Sequence, residues 1–337
     1  MIDFRSDTVT RPSQAMLQTM VAAPVGDDVY GDDESVNALE KWAAEKHGFA
    51  GAIFCSSGTQ ANLLALMAHC QRGDEYLCGQ QAHNYKFEGG GAAVLGSIQP
   101  QPIENEKDGS LSLVKLQAAI KPIDPHFART QLLSLENTIN GKVLPLSYLK
   151  AAREFVDHNG LQLHLDGARV YNAAIALQVD IKAISQYFDS MTICLSKGLG
   201  APIGSLLLGS TALIESARRW RKVLGGGMRQ AGLIAAAAHY ALTHNVQRLA
   251  EDHANAHYLA EQLATIQGVS VNPDHVQTNM VFAKLDTQID QLALCEALQQ
   301  QEIIVSPGEP MRLVTHLDIS RTDIDTFISA IKQFIKV

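Results

Sequence analysis

The 337-residue chain predicts an α/β protein, a sheet with helices on both faces, followed by a smaller α+β unit. Three observations carry this. Short apolar runs alternate with stretches of helical periodicity and are punctuated by glycine, as in βαβ arrangements. The pattern changes after about Arg229, where an alanine-rich helical stretch begins. The length matches two domains at about 150 residues each, and a chain of this size buries a large core without disulfide or metal staples.

In order, Ser35 is expected to cap a helix over 35–47, with Gly48 as its stop. The apolar run Ala52-Ile53-Phe54-Cys55 reads as a strand, followed by the loop Ser56-Ser57-Gly58-Thr59 and a helix over 60–70. Residues 75–78 and 131–135 read as strands, and 147–158 as a helix stopped at Gly160. Leu161, Leu163 and Leu165 alternate with Gln162 and His164, the period of a strand. Further strands are expected over 191–195 and 203–208. Helical stretches follow over 230–243 and 246–266, the long helix serving as a connector. Short elements then alternate over 280–284, 288–300, 311–315 and 320–335. The boundary is expected near residue 245: residues 1–245 an N-terminal segment and a large domain, and 246–337 a small C-terminal domain.

Composition narrows the function. Twenty-seven Lys and Arg against 35 Asp and Glu give a formal charge of −8, which argues against a dedicated nucleic-acid binder. It leaves room for a small anionic ligand held by a few arginines. Five widely spaced cysteines without a CxxC suggest buried reduced thiols rather than a disulfide framework or zinc site, and no metal site is expected. Residues 1–10 carry two Asp and no apolar core of a leader. No apolar run approaches the ~20 residues of a membrane span. The expectation is a cytoplasmic protein without membrane or nucleic-acid partners.

Three segments hold the candidate chemistry. Asp166 stands where an apolar strand ends and a helix begins, the place where open α/β sheets bind ligands; the same carboxylate would also serve as a helix cap. Lys197 follows another apolar strand and precedes Gly198-Leu199-Gly200. A partly desolvated lysine there has the neutral amine that Schiff-base chemistry needs, although a surface lysine in a turn has the same sequence. Ser57-Gly58-Thr59 leads into a helix N-terminus whose N–H groups and hydroxyls suit a phosphate. It is not a Walker A loop, a nucleophile elbow or a dinucleotide fingerprint. Phosphate cradle, strand-end acid and strand-end lysine are together the parts of a pyridoxal 5'-phosphate site.

The resemblance is then specific. Asp3-Phe4-Arg5-Ser6-Asp7-Thr8-Val9-Thr10, Gly26-Asp27-Asp28-Val29-Tyr30-Gly31, Ser57-Gly58-Thr59-Gln60-Ala61-Asn62, His126-Phe127-Ala128-Arg129-Thr130, Asp166-Gly167-Ala168-Arg169, Cys194-Leu195-Ser196-Lys197-Gly198, Leu224-Gly225-Gly226-Gly227-Met228-Arg229-Gln230 and Arg312-Leu313-Val314-Thr315-His316 resemble the low-specificity L-threonine aldolases, in order and over nearly the whole chain. The resemblance implies the aspartate-aminotransferase-like fold type I, with a mostly parallel seven-stranded sheet. It also implies a homotetramer, a dimer of dimers with sites at the dimer interface. The implied reaction is reversible cleavage of L-threonine or L-allo-threonine to glycine and acetaldehyde, L-specific at the α-carbon and permissive at the β-carbon.

The resemblance makes Lys197 the Schiff-base lysine and Asp166 the partner of the pyridinium nitrogen. Gly58, Thr59 and Arg229 would hold the phosphate, Arg229 from across the dimer. His83 would stack on the ring and is a candidate base, with His126 near the β-hydroxyl. Arg169 and Arg312, with Ser6, would take the α-carboxylate, and Arg169 also borders the cofactor. One departure stands out: Ile139 replaces the histidine of the family's Glu-Asn-Thr-His-Asn run. Other reactions of the same fold, such as β-elimination, transamination and serine hydroxymethyl transfer, remain alternatives, as does a non-catalytic binder. The preference between threonine diastereomers is open.

Overall fold

A computed structural model describes residues 1–335; Lys336 and Val337, the last two of the expected C-terminal domain, lie outside the described residues. The chain opens on a short strand, β1 (Ile2–Asp3). Seven strands then build the main sheet: β2 (Gly51–Cys55), β3 (Asp74–Gly79), β4 (Gln99–Ile103), β5 (Arg129–Glu136), β6 (Gln162–Asp166), β7 (Ser190–Cys194) and β8 (Ser205–Gly209). Their spatial order is β2-β8-β7-β6-β5-β3-β4. β4, β3, β5, β6 and β7 are mutually parallel, and β8 runs antiparallel to both β7 and β2. This is the expected mostly parallel seven-stranded sheet. Strands β9 (Val269–Ser270), β10 (Met280–Leu285), β11 (Ile303–Ile304) and β12 (Met311–Val314) follow. β12, β10 and β9 form a small antiparallel sheet, and β11 pairs in parallel with β1.

The helices begin and end where local chemistry directs. Helix Glu34–His47 is capped by Asp33, which accepts from the Val36 N–H at 3.0 Å, and ends at Gly48 in the left-handed region (φ 76°). Asp33 therefore takes the place expected for Ser35, whose hydroxyl donates instead to the Pro24 carbonyl. Helix Leu146–Asn159 stops at Gly160, as expected. Helix Gly58–His69 buries Ala61 through Met67 without a polar face, because it lies between sheet and neighbours. The alanine-rich helix is Gly232–His244 and contributes its alanines to the large core. The next, Leu249–Ala264, links two apolar clusters: Leu249 packs in the first, and Ala256, Leu259 and Leu263 pack in the second with Phe4 and Phe327. Among the described residues no helix is long and apolar enough to cross a membrane.

Both outer strands of the main sheet are guarded. β4 carries Pro100 and Pro102 and pairs with β3 alone, the edge position that proline tolerates. On β2 the outward Phe54 N–H donates to Glu40 at 2.8 Å, and the Phe54 carbonyl accepts from Arg221 at 2.6 Å. Side chains thus occupy backbone groups that an unpaired edge would offer to another strand.

Candidate active site

The carboxyl ends of β2, β3, β5, β6 and β7 share one edge of the sheet. They deliver Ser57-Gly58, His83, Glu136, Asp166 and Lys197 respectively, the crevice where open α/β sheets bind ligands. Asp166 is 2% exposed. Its Oδ1 accepts from the Ala168 N–H at 3.1 Å and its Oδ2 from the Asn62 amide at 2.7 Å. Gly167 must be glycine, because a Cβ there would run into the Thr192 carbonyl; this close approach brings β6 and β7 together at the site. Glu136 is the neighbour of Asp166 across β5 and β6. Burial first, and then the Asp166 charge, push its carboxyl above the usual range, while it accepts the His83 N–H at 2.8 Å.

A polar chain runs inward from His83. Its Nδ1 lies 2.8 Å from Glu88 Oε1, and the same oxygen accepts from Asn62 Nδ2 at 2.8 Å. Asn62 therefore bridges two carboxylates, Glu88 and Asp166, and its Oδ1 accepts from the Thr192 hydroxyl at 2.9 Å. The Glu88 side chain is 4% exposed and that of His83 42% exposed.

On the other flank Arg169 makes a two-pronged pair with Asp7, at 2.8 and 2.6 Å. Asp7 is fully buried. Burial alone would raise its pKa, but Arg169, the Lys197 charge and the Asn279 amide hold the carboxyl well below the ordinary range. Ser6 caps this turn, its hydroxyl accepting from the Thr8 N–H and lying 3.5 Å from Asp7. Arg312, on β12, donates to the Arg5 carbonyl at 3.0 Å. Desolvation, then the like charge of Arg169, hold Arg312 below its usual pKa. Two guanidiniums that feel each other's field, one already neutralised by Asp7, mark a place for one further anion. The Thr10 hydroxyl donates to the Lys197 carbonyl, which ties the N-terminal segment to the loop after β7.

Two expected residues stand elsewhere. His126 precedes β5, so the whole of Arg129–Glu136 separates it from the crevice, roughly 23 Å of strand. Its side chain is 86% exposed and pairs with Asp124 at 2.6 Å. Within this chain His126 does not join the site: its place before the strand read over 131–135 already puts it at the end away from the crevice. Arg229 is paired with Asp27 at 2.8 Å and lies over the Tyr30 ring, rather than on Gly58 or Thr59. Its loop nevertheless borders the cradle, since Gly226 lies against the Gln60 side chain. Ile139 is buried and packs on Gly109, so the departure from the family pattern falls on a packing position.

Asp7, Asn62, Glu88 and Glu136 were not singled out from sequence as site residues. Asp7 and Asn62 lay inside quoted motifs and Glu136 opens the run that holds Ile139, but only the folded chain aims them, and Glu88, at the crevice.

The residues fit pyridoxal phosphate. The Gly58 and Thr59 N–H groups open a helix and lack intrahelical partners. Beside them the fully buried Ser205 hydroxyl has no hydrogen-bond partner among the described residues, 3.6 Å from where a Gly58 Cβ would sit. A buried carboxylate and a lysine stand at adjacent strand ends. This combination defines the class of fold-type-I pyridoxal-phosphate enzymes.

The comparisons agree. The beta-eliminating lyase family matches residues 3–286. The chain is 59% identical over 321 residues to a low specificity L-threonine aldolase of Escherichia coli K12, covering 95% of each chain. It is 41% identical to a probable low-specificity L-threonine aldolase of Arabidopsis thaliana, covering 98% and 96%. The fold is shared with the threonine aldolase structure of Leishmania major, at TM-score 0.85 and 22% identity over 99% of this chain and 100% of that one. The chain belongs to the low-specificity L-threonine aldolases of the beta-eliminating lyase family.

Proposed function

We propose that this protein cleaves L-threonine and L-allo-threonine reversibly to glycine and acetaldehyde, using pyridoxal phosphate. The carrying observation is the buried Asp166 beside a strand-end Lys197, flanked by the Arg169–Asp7 pair, in a chain 59% identical to a low specificity L-threonine aldolase. When bound, the cofactor supplies the electron sink that takes up the electron pair of the breaking Cα–Cβ bond.

The residues divide the remaining work. Lys197 holds the cofactor through Nζ, and Asp166 keeps a proton on its ring nitrogen. Gly58 and Thr59 bind its phosphate, with Arg229 reaching that group from a second subunit. Arg169 and Arg312 grip the substrate α-carboxylate in the planar, forked manner that guanidinium allows, with Ser6 adding a hydroxyl. His83 accepts the β-hydroxyl proton, and His126 reaches a β-substituent only from another subunit. As the bond breaks, the hydroxyl carbon becomes the aldehyde and Cα regains a proton to leave glycine.

A homotetramer with sites at the dimer interface accords with the exposed Tyr30, Phe87 and Val223. A cytoplasmic setting accords with five cysteines that are all free thiols among the described residues. The deciding experiment mixes cofactor-loaded protein with L-threonine, L-allo-threonine and D-threonine. Acetaldehyde from both L-forms and none from the D-form supports the reading. Ammonia with 2-oxobutyrate, or no turnover, rejects it.

A further inference from the structure

The acidic partner of His83 has no part in the chemistry described so far, yet its geometry is specific. Glu88 is nearly excluded from solvent and stands on the short segment that follows His83. One of its oxygens, Oε1, receives both the imidazole Nδ1 and the Asn62 Nδ2, each at 2.8 Å. The Asn62 amide cannot be reversed, because its Nδ2 lies between two carboxylates while its Oδ1 accepts the Thr192 hydroxyl. With Glu88 ionised, an Oε1 that accepts from Asn62 also accepts from the imidazole, so Nδ1 carries the hydrogen. In a neutral ring Nε2 is then the lone-pair nitrogen.

We propose that Glu88 is a positioning residue: it fixes His83 with Nδ1–H bound to carboxylate and Nε2 left as the proton acceptor. The inference rests on the proposed role of His83 and deepens it. A carboxylate behind an imidazole sets both tautomer and basicity. The groups around the ring are Glu88, Asp166 and Glu136, which favour its protonation, and Lys197, which opposes it. Of these, the Glu88 hydrogen bond dominates and raises His83 above its usual pKa. The Asn62 bridge extends the same constraint to Asp166, so the ring and the strand-end acid share one rigid support.

The test uses cofactor-loaded protein and its Glu88→Gln variant, which keeps the shape and removes the charge. Carbethoxylation of His83 by diethylpyrocarbonate, followed against pH by peptide mass mapping, reports the imidazole pKa without turnover. Glu88→Gln is expected to lower that pKa by about one unit and to move the acidic limb of kcat/KM for threonine by the same amount. In a His83→Asn background, Glu88→Gln should change kcat/KM by less than about twofold, which a merely structural role would not predict. An unchanged His83 pKa overturns the proposal, as does a lowered pKa with an unmoved acidic limb. If the parent protein releases no acetaldehyde, the aldolase reading fails while the labelling still reports whether Glu88 governs His83.

Discussion

Arg169 and Arg312 both serve the proposed carboxylate site, but their surroundings differ, and so should the effects of losing them. Arg312 is held by one backbone carbonyl. Arg312→Ala should leave the fold and the cofactor absorbance intact and cost on the order of 2–5 kcal/mol in kcat/KM for threonine. Arg312→Lys should restore only part, since an ammonium lacks the planar fork. Arg169→Ala removes the partner of a fully buried Asp7. It should therefore also lower folding stability, by about 3–5 kcal/mol, seen as a fall in Tm that Arg312→Ala does not share. Asp166→Asn replaces a carboxylate by an amide that cannot keep the ring nitrogen protonated. It should retain cofactor and lose on the order of 10²-fold or more in kcat, measured by acetaldehyde release.

The elements read from sequence were those whose signal is local. Gly48 and Gly160 stop their helices at left-handed positions, and the alternation of residues 161–165 is a strand. Strand β4 was missed because Gln99-Pro100-Gln101-Pro102 carries a turn composition, which only an edge position reconciles with pairing. The cap of helix Glu34–His47 shifted from Ser35 to Asp33 because Asp33 also accepts the Gly26 and Gly232 N–H groups, the second from a segment distant in sequence. The polar chain from His83 to Asp166 was hidden for the same reason, since Asn62 meets Asp166 and Thr192 only once helix Gly58–His69 packs across β6 and β7. At this scale the guarded edge of β2 is testable. Arg221 is buried, pairs with Asp28 at 2.7 Å and caps the Phe54 carbonyl. Arg221→Ala should lower the denaturation midpoint by an amount equivalent to about 3–5 kcal/mol and raise aggregation.

At the scale of the molecule, burial pushes several histidines of the described residues well below their usual pKa. His164 is pushed down to about 3 and His69, His47 and His253 each to about 4. His164 and His69 share the single Ser190 hydroxyl. Their folded-state pKa values lie below the unfolded value of about 6.5, so the unfolded chain binds more protons once the pH drops below that value. Stability is therefore full above about pH 7 and is lost progressively as the pH falls toward 4. Urea midpoints should drop between pH 7 and pH 5, and His69→Gln should make that fall shallower. The pairing of β1 with β11 has a consequence for synthesis. Ile2 leaves the ribosome well before its partner Ile303, which emerges about 300 residues later, a delay of roughly 15–60 s at usual elongation rates. Until then the leading segment has no strand to join, and Asp7, five residues on, has no fixed place from which to meet Arg169. A nascent chain interrupted between Lys197 and β11 thus carries Lys197 and Asp166 without the frame that anchors their neighbour, and the proposed amino-acid grip is among the last features to be assembled.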